Sequence, residues 1–297
     1  MSHPFDIEQV LRLPRRQAGG SPQDLTVTLM ADYTVHTGAW LPSAAIVALL
    51  AESGVSTAGA RTALSRLARR GVLDSDRQGR RTRYRLSPAA VADLRVGGRW
   101  VASYGDDAET WDGRWTLVAF SLPQEAVMAR RTLRDQLRWM GFAPLYDALW
   151  ISPREFTEPD VLPEAVTVFR ARHVELATGP GRDPIEAWDL SAIAGRYEAF
   201  LDRWRPVTPD GLDGAAAVRA RTELIDAYRQ FSTIDPRLPD KLLPSGWLRR
   251  PAREVFAALY DGLAGPAERH VRAVAAAHST DSAPEIRANT VAGLLRP

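Results

Sequence analysis

The stretch from Ser56 to Leu86, STAGARTALSRLARRGVLDSDRQGRRTRYRL, limits what this chain can fold into more than any other. It holds nine arginines against two acids, Asp74 and Asp76, a local balance of +7. The whole chain sums to only +2, so everything outside this stretch sums to −5. A positive field gathered into one short segment calls for a polyanion against it.

The spacing within the stretch says what shape carries the charge. Ser56 is a helix N-cap residue, and Ala60, Ala63, Leu64 and Leu67 then recur on one helical face as far as Arg70. The opposite face presents Ala58, Thr62, Ser65 and Arg69, flanked by Arg61 and Arg66. Small residues let such a helix approach closely, while arginine and hydroxyl side chains offer donors to base edges and phosphates. Gly71 stops the helix, and Val72 and Leu73 return an apolar pair to the core. A turn over Asp74 to Gly79 and an alternating strand, Arg81 to Leu86, complete a winged helix-turn-helix. Its expected DNA contacts are Arg61, Thr62, Ser65, Arg66 and Arg69 in the recognition helix and Arg77, Arg80, Arg81 and Arg83 in the wing. The competing reading is a merely solvated arginine face. The order of helix, stop and basic hairpin argues against it.

The remaining residues supply a setting for this reader. Residues 1 to 20 are expected to be a loosely held arm. Asp24 to Thr37 and Ala44 to Glu52, the latter introduced by Trp40 to Ser43, predict the two helices that precede the recognition helix. Ser87 and Pro88 cap a helix over Ala89 to Leu94, closing a first domain at residue 96. Gly97, Gly98 and the acidic run Asp106 to Asp112 then predict a linker over 97–113. In a middle domain over 114–184, a strand at Trp115 to Phe120 is followed by a helix at Glu125 to Met140. An apolar segment, Phe142 to Ile151, and a strand, Val166 to Leu176, make this the start of a ferredoxin-like sandwich. From 185 to 280 the periodicity is helical, with Pro206 ending one helix and a proline-rich loop, Asp235 to Pro251, preceding the last two. The polar tail, 281–297, is expected to fray. The fold class is therefore α+β multidomain: winged helix-turn-helix, ferredoxin-like middle domain and all-helical C-terminal domain.

Several blocks of this chain resemble the PaaX family of bacterial transcriptional repressors. They are ARTALSRLARRGVL with GRRTRYRL, WDGRWTLVAFSLP, RRTLRDQLRWMGFAPLYDALWISP, AWDLSAIAGRYEAF and DPRLPDKLLPSGW, five blocks in the family's order. The resemblance implies an N-terminal winged helix, a middle domain similar to the small CRISPR adaptation nuclease, and a helical C-terminal domain. It also implies a homodimer on a palindromic operator, released by an aryl-acetyl-CoA thioester such as phenylacetyl-CoA. One departure is Ala148, where the family pattern has glycine.

A nuclease-like middle domain raises the question of catalysis. Metal-dependent phosphodiester cleavage needs a carboxylate near the end of the first strand. That strand ends in Ser121, Leu122 and Pro123, so no enzyme activity is expected. The five histidines, His3, His36, His173, His270 and His278, show no metal spacing, and no cofactor is expected. Gly179 to Gly181 reads as a turn rather than a phosphate loop. The effector candidates are Trp139, Trp150, Trp188, Tyr197 and Trp204 with Arg130, Arg131 and Arg134, since a CoA thioester wants an apolar slot and cations for its phosphates. The plainer alternative is that these aromatics are core and these arginines face water. With no cysteine, no apolar run of membrane-spanning length and no signal peptide in the N-terminal residues, the protein is expected to be cytoplasmic. Two other classes stay open: an enzyme acting on an acyl-CoA or aromatic substrate, and a scaffold for protein partners.

Overall fold

The computed structural model describes residues 20–105, 111–123, 125–156, 165–174, 182–279 and 284–296, apart from the side chains of Gln78 and Trp139. The expected arm at 1–20 lies almost wholly outside these residues, as do Asp106 to Thr110 of the linker and the turn at Gly179 to Gly181. The described chain gathers into two compact units. One comprises residues up to 104, 200–230 and 251–297, and the other 105–199 and 231–250.

The first unit begins with α1 (Pro22–Thr34), whose start is fixed by a capping box. The Ser21 hydroxyl accepts from the Asp24 amide at 3.2 Å, and the Asp24 carboxylate accepts in return from the Ser21 amide at 3.3 Å. Then come β1 (Leu41–Pro42), α2 (Ser43–Glu52), α3 (Thr57–Arg69), β2 (Leu73–Gln78) and β3 (Arg81–Leu86). β3 pairs antiparallel with both β1 and β2, giving the order β1-β3-β2. This connectivity is that of a winged helix. Two details differ from the sequence reading. Leu41 and Pro42 form a strand rather than opening the second helix, because the residue before proline is held extended. And Asp74 to Gln78, expected as a turn, continue β2, so that only Gly79 and Arg80 form the loop. Gly79 supplies the positive φ (60°) that a two-residue hairpin needs.

The helix expected to stop before Gly97 and Gly98 runs on as α4 (Pro88–Ser103), which shortens the linker. Part of the helical C-terminal region packs on the winged-helix core. α7 (Gly214–Tyr228), α9 (Arg249–Gly262) and α10 (Ala264–His278) fall mostly or wholly in the winged-helix unit. Val218, Leu263, Ala267 and Val271 share one apolar cluster with Met30, Tyr33, Ile46 and Leu64. One of the two compact units, 105–199 with 231–250, spans the expected boundary at 185.

At the centre of this unit lies a buried ion pair. Arg221, on α7, is fully buried and donates from Nε to Asp32 Oδ2 of α1 at 2.9 Å. Its other guanidinium nitrogens donate to the carbonyls of Tyr260 and Asn289, and the Tyr260 hydroxyl donates to Asp32. The Tyr260 ring lies 3.7 Å from the guanidinium carbon. Burial, then the Asp32 carboxylate, hold the Tyr33 and Tyr260 phenols above their ordinary range, so both stay neutral.

The tail expected to fray is instead a strap across this centre. Arg287 and Asn289 donate their amides to the carbonyls of Tyr33 and Asp32, which the end of α1 leaves without intrahelical partners. Ile286, Ala288 and Asn289 are buried, and the strap ends in a short turn, α11 (Val291–Leu294).

The second unit contains β4 (Trp115–Phe120), α5 (Val127–Trp139), β5 (Ala143–Tyr146), β6 (Leu149–Ser152) and β7 (Val166–Ala171), an antiparallel sheet of order β5-β6-β4-β7. That order is the ferredoxin-like one. α5 lays Leu133 and Leu137 on Val118, Phe120 and Trp150 of one sheet face. The other face, with Trp115, Leu145 and Ile151, is covered by Trp188, Ile185 and Leu242. α6 (Leu190–Trp204) gives most of its length to this unit, and α8 (Phe231–Ile234) opens the proline-rich segment.

That segment is anchored by Asp235. Its carboxylate accepts from Arg249 Nη2 at 2.8 Å, Arg249 Nε at 3.0 Å and the Tyr197 hydroxyl at 2.6 Å. Burial alone would raise the acid's pKa, but the Arg249 hydrogen bonds and charge outweigh it and hold the carboxyl below its usual range. A folded-state pKa below the unfolded one means stability that is present above about pH 4 and lost as the pH falls further. Acid titration of the fold should therefore show a transition below about pH 4 that is blunted in Asp235→Asn.

Candidate nucleic-acid interface

The recognition helix α3 is set by local chemistry at both ends. The Ser56 hydroxyl accepts from the Gly59 amide at 3.1 Å, and Gly71, at φ 70°, turns the chain out of the helix as its amide bonds to the Ala68 carbonyl. Ser87 then ties the wing root back. Its hydroxyl donates to the Gly71 carbonyl at 2.7 Å, and its amide donates to that of Val72 at 3.0 Å.

With those ends fixed, Ala60, Ala63, Leu64 and Leu67 are buried, while Ala58, Arg61, Thr62, Ser65, Arg66 and Arg69 are all exposed. At the wing tip Arg77, Arg80 and Arg81 are exposed too. Helix and hairpin thus present hydroxyls and guanidiniums outward with small residues between them, the inventory that phosphate and major-groove contacts require.

Arg83 is placed differently from the expectation. Its Nε donates to Asp76 Oδ2 at 2.7 Å, and the next arginine inward, Arg85, donates to Asp74 at 3.1 Å. Both guanidiniums lie over the Trp40 ring, 5.2 and 4.6 Å from its centroid. The sequence reading missed Trp40, because nothing in its spacing ties it to β3. Only the pairing of β1 with β3 brings it there.

Within the second unit, the residues expected to hold an effector lie on both faces of the sheet. Trp150 is buried under α5, with Arg138 5.4 Å from its ring. Trp188 stacks on Trp115 over the opposite sheet face, and Tyr197 is tied to Asp235. Trp204 is buried in the first unit, and the side chain of Trp139 lies outside the described residues. Arg130 donates to the carbonyls of Leu122 and Pro123, Arg134 reaches that of Asp147 at 3.4 Å, and Arg131 faces water beside Asp135. Trp150, Tyr197 and Trp204 are buried, and Trp188 is half-buried. A groove of about 860 Å³ opens in the second unit, at the end of β4, bounded by Phe120, Ser121, Leu145, Ala148, Leu149 and Arg182.

Three family models match the chain: "PaaX-like protein" over residues 21–90, "PaaX protein central Cas2-like domain" over 108–181 and "PaaX-like protein C-terminal domain" over 188–273. The chain is similar to the transcriptional repressor PaaX of Escherichia coli K12, at 30% identity over 259 residues, covering 82% of this chain and 81% of the relative. In fold it is similar to the uncharacterized protein Rv0674 from Mycobacterium tuberculosis, with a TM-score of 0.58 at 21% identity, covering 84% of this chain and 96% of that one.

Proposed function

This chain belongs to the PaaX family and is a DNA-binding transcriptional repressor, and on that premise we propose how it reads and leaves its operator. Two copies bind an inverted repeat, each placing α3 in a major groove and laying its wing along the backbone, with half-sites about 34 Å apart. The observation that carries this is the outward row Arg61, Thr62, Ser65, Arg66 and Arg69 on a helix whose other face is core. One basic reading unit per chain is what makes a dimer necessary for a site of useful length.

Footprinting is the test. A protected inverted repeat is expected, and protection of one unpaired half-site by a monomer would contradict the dimer. Arg61→Ala or Arg69→Ala should cost about 1–3 kcal/mol on the operator and relax sequence choice, whereas Arg81→Ala should weaken all sequences alike.

A small effector, such as an aryl-acetyl-CoA thioester, releases the repressor by binding the DNA-incompetent state more tightly. The groove at the end of β4 supports an effector site there, since it joins an apolar wall to the guanidinium of Arg182 and is lined by Ala148. Titrating thioesters into the protein–operator complex should dissociate it. No described helix is long and apolar enough to cross a membrane, and the site of action we propose is the cytoplasm. No catalytic step is assigned, because β4 runs out into Ser121, Leu122 and Pro123.

A further inference from the structure

The wing holds more arginine than it presents. Arg81, Arg83 and Arg85 alternate with Thr82 and Tyr84 along β3 and so share one face of the hairpin. Opposite them in register stand Gln78, Asp76 and Asp74. Toward the tip, Arg81 faces no acid across the strands. Toward the root, Arg83 and Arg85 each face one, at 2.7 and 3.1 Å. The four paired side chains remain between 37% and 41% exposed, so a duplex backbone can reach them. Trp40, stacked beneath both guanidiniums, fixes where they sit.

We propose that Asp74 and Asp76 compete with DNA phosphate for Arg83 and Arg85, and so set how strongly, and how salt-dependently, the wing grips any duplex. The proposal rests on the DNA-binding reading above. A half-exposed ion pair contributes little to the fold and exchanges readily for another anion. In the native protein, however, the exchange would leave a carboxylate facing the phosphate backbone, and that repulsion cancels most of what the arginine gains. The two pairs therefore behave as neutral units. Phosphate contacts carry no sequence information, so what the aspartates remove is grip, equally on right and wrong sites. A repressor with a shallower grip on random DNA leaves it sooner.

The test uses the full chain, a duplex containing the footprinted site and an unrelated duplex, each titrated over a salt series. Freeing two arginines in each protomer of the dimer adds about four phosphate contacts, so D74N/D76N should steepen the slope of log affinity against log salt by about four. Over a fourfold rise in salt its affinity should fall on the order of a hundredfold more than the native protein's. Both duplexes should gain by the same factor at low salt. Each single variant should give about half the change, which keeps the test intact should the double variant misfold. An unchanged or shallower slope in variants that remain folded overturns the proposal while native binding stands. Failure of the native protein to bind either duplex at low salt would instead overturn the function on which it rests.

Discussion

Replacing Arg221 by alanine is expected to cost the winged-helix unit about 3–5 kcal/mol, because it leaves the Asp32 carboxylate buried without its cation. In a unit of this size that corresponds to a fall of roughly 10 °C or more in unfolding midpoint. Asp32 is only 3% exposed, and the guanidinium answers not only that carboxylate but also the carbonyls of Tyr260 and Asn289. Asp32→Ala should be as damaging, since it strands the guanidinium instead. Changing both at once, to Leu and Met, should recover much of the loss, because a buried pair replaced by apolar residues of similar volume is often tolerated. Operator binding should disappear together with the fold in the single variants, since Asp32 lies on the first helix of the reader. Differential scanning calorimetry decides it. A loss below about 1 kcal/mol in either single variant would mean the pair is reached by water and does not hold the unit together.

The reader was legible in the sequence because its signals are local. A cap at Ser56, a helical apolar stripe, a glycine at the C-terminal end and a two-residue alternation need no distant partner to be recognised, and each lies where the folded chain uses it. What sequence could not supply is what depends on contacts between distant segments. Asp32 and Arg221 lie 189 residues apart, and nothing in either helix's pattern sets those charges apart from solvated ones. The tail looked polar and loose because Glu285, Arg287 and Asn289 are polar. Its backbone nevertheless finds the unpaired carbonyls at the end of α1, and Glu268 accepts the Ala288 amide at 2.9 Å. For the aromatics expected at an effector site, the sequence does not separate bulk from ligand contact. Trp150 and Tyr197 are apolar bulk first, and the core claimed them. Arg83 shows the limit within the reader itself, since a count of charge does not reveal which cations are already neutralised across a hairpin.

Apparent affinity for DNA should fall about 10³-fold between 50 and 200 mM salt. Seven arginines of helix and wing, Arg61, Arg66, Arg69, Arg70, Arg77, Arg80 and Arg81, are exposed in each chain. If about three of them meet phosphate in each protomer of a dimer, about six counterion-releasing contacts form, and the slope of log affinity against log salt is about −5. The operator and unrelated duplexes should share most of this slope, because phosphates are alike in both. The vertical gap between their two lines is the part owed to base edges, and Arg61→Ala or Arg69→Ala should narrow it. Substituting Arg77, Arg80 and Arg81 together, which removes up to about six contacts from the dimer, should instead leave the gap and flatten both lines by up to about five units. The separation of gap from slope thus assigns the helix and the wing to different tasks. A slope near zero for the native protein would place the docking surface somewhere other than this arginine-dense segment, whatever its sequence spacing.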